Sequence, residues 1–250
     1  MKSITIAGLL AVAALSNAQV FTQWNFNSVA MDGNANTGTT STSIGVGSAS
    51  LIGGATSTGF NAGGTTSLAP ASSSDTNITD NSGWQTTTYP AITAVADSGN
   101  RGVQFNVSTA QGAMGYRNIV VSFDVRRSNT SSRFLKFEYT TNGTSFSSAG
   151  LDNNGVIVGL TGDSWVNGNT FNLSSIAGVE NNANFGFRIV SIVSPTTGAY
   201  VAANNTSTYA GGTLRYDMVT VSGEPVPEPA SLIALGLGAS ALLRRRAQKA

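Results

Sequence analysis

The 250-residue chain has no cysteine and no histidine, and only 10% of its residues are charged. Without cysteine there is no disulfide framework, no thiolate metal site and no cysteine nucleophile. Without histidine the Ser-His-Asp arrangement, the His-ligated zinc sites and the usual general base near neutral pH are also excluded. Acid–base chemistry is left to carboxylates. The few charges are unevenly placed: Lys2, Arg244, Arg245, Arg246 and Lys249 supply five of the thirteen basic residues, and Glu228 supplies one of the twelve acidic ones. The formal net charge of +1 therefore belongs to the two ends, and the body between them keeps eight basic against eleven acidic residues, a net of −3. With no basic stripe to hold a phosphate backbone, the body is not expected to bind nucleic acid.

What the chain does have begins with its amino terminus, MKSITIAGLLAVAALSNAQV. Lys2 precedes an apolar run from Ile4 to Leu15, and Ser16-Asn17-Ala18 places small residues where a signal peptidase reads them. Residues 1–18 are expected to be a secretory signal peptide, cleaved between Ala18 and Gln19. Residues 37–74 are a low-complexity stretch of small polar residues, interrupted by Ile44, Val46, Leu51, Ile52, Phe60 and Leu68. Two readings stay open for it: a flexible linker with little to bury, or one or two weak edge strands.

Beyond residue 100 the pattern is strict alternation. In NIVVSFDVRR, Ile119, Val121, Phe123 and Val125 fall on one face and Ser122, Asp124 and Arg126 on the other. RFLKFEYTT repeats it with Leu135, Phe137 and Tyr139 against Lys136 and Glu138, and Thr141-Asn142-Gly143 then supplies a hairpin turn. VQFNVS, NFGFRIVSIV and TLRYDMVTV follow the same period. No segment between Gln19 and Pro225 keeps a helical period, so residues 19–224 are expected to form one all-β domain, an antiparallel β-sandwich.

These strands in order, GVQFNVSTAQGAMGYRNIVVSFDVRRSNTSSRFLKFEYTTNGTSF, then FNLSSIAGVENNANFGFRIV and GTLRYDMVTVSG, resemble the jelly-roll domains of bacterial surface and secreted proteins. The resemblance implies a sandwich fold and leaves a structural calcium open as the single cofactor, with no ligand residues assigned. The last residues, VPEPASLIALGLGASALLRRR, resemble the PEP-CTERM sorting signal: Pro227-Glu228-Pro229, an apolar stretch from Ala230 to Leu243, and a basic stop at Arg244, Arg245 and Arg246. That resemblance implies recognition of residues 225–250 by a membrane-embedded exosortase, in bacteria that make extracellular polysaccharide. The physics of the tail agrees with it. Two prolines hold the motif extended and outside any helix. The fourteen residues from Ala230 to Leu243 would span about 21 Å as a helix, short of a hydrocarbon core of about 30 Å, a difference that snorkelling arginines reduce. A basic cluster after the run favours a cytoplasmic C-terminus and leaves the body outside.

Other motifs have simpler readings. DGNANTG, from Asp32 to Gly38, alternates Asp32, Asn34 and Asn36 like the start of a calcium loop, but Thr37 stands where the sharp-turn glycine belongs and no Glu follows at the twelfth position. It is read as a turn, as are LDNNG at 151–155 and DSGN at 97–100. Asp124 and Glu138 lie on polar faces of strands that adjacency would turn into a glycosidase-like carboxylate pair, although the neighbouring Arg and Lys residues make surface ion pairs the simpler expectation. Trp24, Trp84, Trp165 and Tyr89 are candidates either for a sugar-stacking platform or for the core. Asn77, Asn106, Asn129, Asn142, Asn172 and Asn205 stand in sequons that an Asn- and Thr-rich chain produces by chance. The sequence thus predicts an exported, non-catalytic structural or carbohydrate-associated protein of the cell surface or matrix, membrane-anchored before processing. A carbohydrate-active enzyme on the same scaffold and an adhesive or ice-binding surface are the alternatives. No catalytic and no metal-ligating residues are assigned.

Overall fold

The computed structural model describes residues 17–111 and 115–226. The expected signal helix, the Pro227-Glu228-Pro229 motif, the C-terminal hydrophobic helix and the arginine cluster lie outside the described residues. Among the described residues no helix is long and apolar enough to cross a membrane.

The described chain is a two-sheet antiparallel sandwich, as the alternation predicts. Its strands are β1 (Gln19–Trp24), β2 (Ser48–Ile52), β3 (Thr56–Ala62), β4 (Ser82–Thr87), β5 (Gly102–Asn106), β6 (Tyr116–Arg127), β7 (Phe134–Thr140), β8 (Val156–Val158), β9 (Ser164–Asn172), β10 (Gly186–Ser191) and β11 (Leu214–Pro225). One sheet runs β3-β4-β11-β6-β9, with β1 also pairing β11; the other runs β2-β5-β10-β7-β8. The long β11 is the spine of the first sheet. Its first half pairs with β4 and its second half with β1, while β6 follows its other side.

Burial follows the two-residue period. Ile119, Val121, Phe123 and Val125 of β6 are buried, as are Leu135 and Phe137 of β7. Between the sheets Phe105, Phe187, Phe137 and Phe171 stack in series, with ring centroids 5.0, 5.5 and 4.1 Å apart. Offset stacking of this kind adds to the stabilisation from apolar burial. Arg127 falls on the same face of β6 and is fully buried, with none of its three guanidinium nitrogens hydrogen-bonded; desolvation pushes its pKa down to about 10. On β11 a bulge around Met218, whose φ is 47°, adds a residue, so that Tyr216 and Val219 both face the core.

The low-complexity stretch forms strands. β2 lies at the edge of the five-stranded sheet and β3 at the edge of the other, so two strands close in sequence belong to opposite layers. Gly53 and Gly54, with φ of 64° and 89°, carry the chain across, and a Cβ at Gly53 would stand 2.0 Å from the Asn100 carbonyl oxygen.

The two sheets differ in what covers their outer faces. Residues 62–81 form a roof over the six-stranded sheet. The Asp124 carboxylate accepts the Ser74 N–H and hydroxyl at 2.6 Å each and the Gly168 N–H at 2.8 Å, and the Trp165 N–H donates to the Pro70 carbonyl at 2.9 Å. Asp124, Trp165, Arg215 and Asp217, all on the outward phase of their strands, are consequently buried. Among the described residues no comparable segment roofs the outer face of the five-stranded sheet: Thr140 and Val190 are buried there, but the outward side chains are half-buried or exposed along β2 and through Gln104, Asn106, Lys136, Glu138 and Arg188.

Candidate functional site

The open face is built by strand register. Ser50 of β2 pairs with Gln104 of β5, Gln104 with Arg188 of β10, and Arg188 with Glu138 of β7, so these four side chains form one row across four strands. The next row is Ser48, Asn106, Gly186 and Thr140. Gly186 lowers the floor there, and a Cβ at that position would meet the Phe105 carbonyl at 2.8 Å. The third row is Ile52, Gly102, Val190 and Lys136, with a second glycine gap.

The polar row is locked by its own contacts. The Arg188 Nε donates to Glu138 Oε2 at 2.7 Å, and Lys136 Nζ lies 3.5 Å from Glu138 Oε1, so two cations hold one carboxylate. The Arg188 guanidinium also sits 4.5 Å from the centroid of the Phe146 ring. Gln104 Nε2 donates to Asn106 Oδ1 at 3.0 Å. A depression of about 870 Å³ flanks the row on the Asn106 side, bordered by Ser48, Gln111, Gly143 and Asn184. On the other side a second depression of about 420 Å³ is bordered by Asn100, Lys136, Glu138, Arg188, Val193 and Pro195. The face is therefore a shallow groove with a charged, amide-rich ridge across its middle.

Not every candidate from the sequence meets here. Asp124 and Glu138 are on different sheets, so the carboxylate pair is not formed. Glu138 does make the cross-strand ion pair expected of it, whereas Asp124 is buried and holds the roof through hydrogen bonds. Trp24, Trp84, Trp165 and Tyr89 are all buried, which removes all four from a stacking platform. The aromatic that does border the ridge, Phe146, lies just past the Thr141-Asn142-Gly143 turn. That turn forms as expected: Asn142 Oδ1 accepts the N–H groups of Thr144 and Ser145, and Gly143 has a φ of 78°. Of the sequon asparagines, Asn106 lies on the groove. The turns at 151–155 and 97–100 also form, with Asn153 and Asn154 at positive φ and an Asp97–Arg101 ion pair at 3.1 Å. Among the described residues no group of three or more Asp and Glu side chains gathers closely enough to hold a metal ion by itself.

Sequence reasoning missed Gln104 and Arg188. Their outward phase in VQFNVS and NFGFRIV was visible; that their sheet would be the uncovered one was not.

The expected mature end, Gln19, is the first residue of β1 and pairs with Gly223, so β1 begins where β11 ends, at the same end of one sheet. Among the described residues the last backbone hydrogen bond there runs from the Val226 N–H to the Gly115 carbonyl at 2.8 Å, one residue before Pro227. No curated protein matches the chain. Residues 225–247 match the family described as the PEP-CTERM protein-sorting motif. The β-sandwich is thus followed directly by a PEP-CTERM sorting signal, which marks an exported protein handled by a membrane-embedded exosortase through its C-terminal segment.

Proposed function

We infer that the sandwich is a non-catalytic carbohydrate-associated module, displayed at the cell surface or in the extracellular matrix, and that it holds polysaccharide along the outer face of the five-stranded sheet. The observation that carries this reading is the asymmetry of the two faces: one is sealed by residues 62–81, while the other presents Ser50, Gln104, Arg188 and Glu138 in one row between two depressions. Vicinal sugar hydroxyls both donate and accept, and a row of amide, guanidinium and carboxylate groups offers both functions at strand spacing. A shallow face that is open on both sides of its polar ridge suits a chain crossing it better than a small molecule, which binds in an enclosed pocket. Support for a binding role rather than hydrolysis comes from Glu138, whose carboxylate is clamped by Arg188 and Lys136, with Asp124 across the sandwich on the other sheet.

Binding isotherms against a polysaccharide panel, including the producing cell's own matrix polymer, test this reading. Arg188→Ala and Gln104→Ala are expected to weaken binding about tenfold each, the scale of a lost charged or bidentate hydrogen bond, with little change in melting temperature. Binding that survives both substitutions would place the ligand elsewhere, and release of reducing sugar would replace the module with an enzyme.

A further inference from the structure

The DGNANTG loop is a turn in the structure: the Asn34 N–H donates to Asp32 Oδ1 at 2.8 Å, and the Thr37 hydroxyl donates to Asp32 Oδ2 at 2.6 Å. What the sequence does not show is the residue beneath it. Asp80, on the approach to β4, is 0% exposed, and neither of its carboxylate oxygens has a hydrogen-bond partner. A buried carboxylate without partners costs several kcal/mol unless it takes up a proton or a cation. The loop that carries Asp32 is laid over this position by Ser82, whose N–H donates to Asn27 Oδ1 at 2.9 Å and whose hydroxyl donates to the Thr37 carbonyl at 2.6 Å, and Asp32, Asn34 and Ser28 are the groups that act on the Asp80 carboxyl. Burial, and then the neighbouring Asp32, raise the pKa of Asp80.

We propose that Asp80 and Asp32 form the carboxylate floor of a binding site for a divalent cation of the calcium type, closed by the loop from Asn27 to Gly38. A carboxylate buried without a hydrogen-bond donor leaves its lone pairs to a cation, and the second carboxyl adds charge that a divalent ion neutralises. Calcium fits the surroundings better than magnesium. The neighbouring groups are oxygens of mixed kind, from Asn34, Thr37 and the loop carbonyls, set irregularly on an exposed turn, and the exposed side of Asp32 admits water to complete six to eight ligands. No thiol or imidazole competes for a softer metal. The site does not follow a twelve-residue calcium loop, because its second carboxylate comes from a different segment.

The test uses the full chain purified in mild detergent, stripped with EGTA and titrated with calcium chloride at pH 7 by calorimetry and thermal melting. At calcium concentrations about a hundredfold above the dissociation constant, the melting temperature is expected to rise by at least about 5 °C. Asp80→Asn is expected to abolish the calcium response and, in EGTA, to melt at or above the parent chain, because it removes an uncompensated charge. Asp32→Asn, at an exposed position where folding is not at stake, is expected to weaken calcium binding at least tenfold. A parent chain whose heat signal and melting point are indifferent to millimolar calcium overturns the proposal. So does an Asp32→Asn variant that binds calcium as tightly as the parent.

Discussion

Asp217 shows how far one residue's surroundings set its chemistry. Burial drives its pKa well above the ordinary 3.8, with Asp75 and Asp124 pushing in the same direction and contacts from Ser73 and the Met218 N–H opposing. The folded carboxyl therefore keeps its proton at a pH where the unfolded one has released it. Stability is fully present below about pH 4 and declines as pH rises toward the folded pKa, by up to about 1.4 kcal/mol per unit. Asp217→Asn, which cannot ionise, is expected to match the parent at pH 4 and exceed it by more than about 1 kcal/mol at pH 7 in urea denaturation. Equal destabilisation at both pH values would show that the carboxyl is ionised in the fold. The sequence gives only part of this. TLRYDMVTV alternates as a strand, but the bulge at Met218 shifts the phase, and burial of the outward Asp217 depends on a segment far away in sequence. Arg127 is the converse case. Strict alternation from Ile119 through Val125 places it inward, and only the habit of setting arginines at surfaces argues against that reading.

At the scale of elements, the strands with strong alternation were legible and the weak ones were not. β6 and β7 alternate apolar and polar residues over their length because one face of each is core. β2 and β3, at sheet edges, bury few side chains and leave little pattern, so a linker and an edge strand look alike in the sequence. The roof over the six-stranded sheet was invisible for a different reason: residues 62–81 hold to it through backbone groups and short hydroxyls rather than through a hydrophobic stripe. Asp124 is its main tether, accepting three hydrogen bonds from Ser74 and Gly168. Asp124→Ala is expected to destabilise the fold by roughly 2–4 kcal/mol, since it leaves donors unpaired beneath the roof. It is also expected to expose residues 62–81 to protease before the rest of the body unfolds. Limited proteolysis with mass mapping reads this directly, and a cleavage pattern identical to the parent's would relieve Asp124 of that role.

For the whole molecule, the pairing of Gln19 with Gly223 fixes how the body hangs from its two ends. β6 and β11 are antiparallel, so Tyr116, Pro225 and the Gln19 end of β1 share one end of the sandwich, next to the sorting signal. β5 runs toward that same end, since Val107 leads through Thr109 to Tyr116, whose N–H donates to the Thr109 carbonyl at 2.7 Å. The open groove consequently runs lengthwise, with its Asn106 side near the end from which the tail departs and its Asn100 side away from it. In the proposed binding role a polysaccharide would lie along the strands, from the end at which Pro225 leaves the sheet to the opposite one. The same geometry sets where processing can cut. The sandwich needs β11 through Pro225 and keeps a hydrogen bond at Val226, so cleavage within or beyond Pro227-Glu228-Pro229 spares the fold and cleavage before it does not. The extracellular form is therefore expected to have an intact mass that begins at Gln19, retains Val226 and lacks the C-terminal peptide, in cells with a working exosortase and not in cells without one. A chain that keeps residues through Ala250 in both would turn the tail into a plain anchor, and a mass ending before Pro225 would mean that β11, the spine of its sheet, is dispensable.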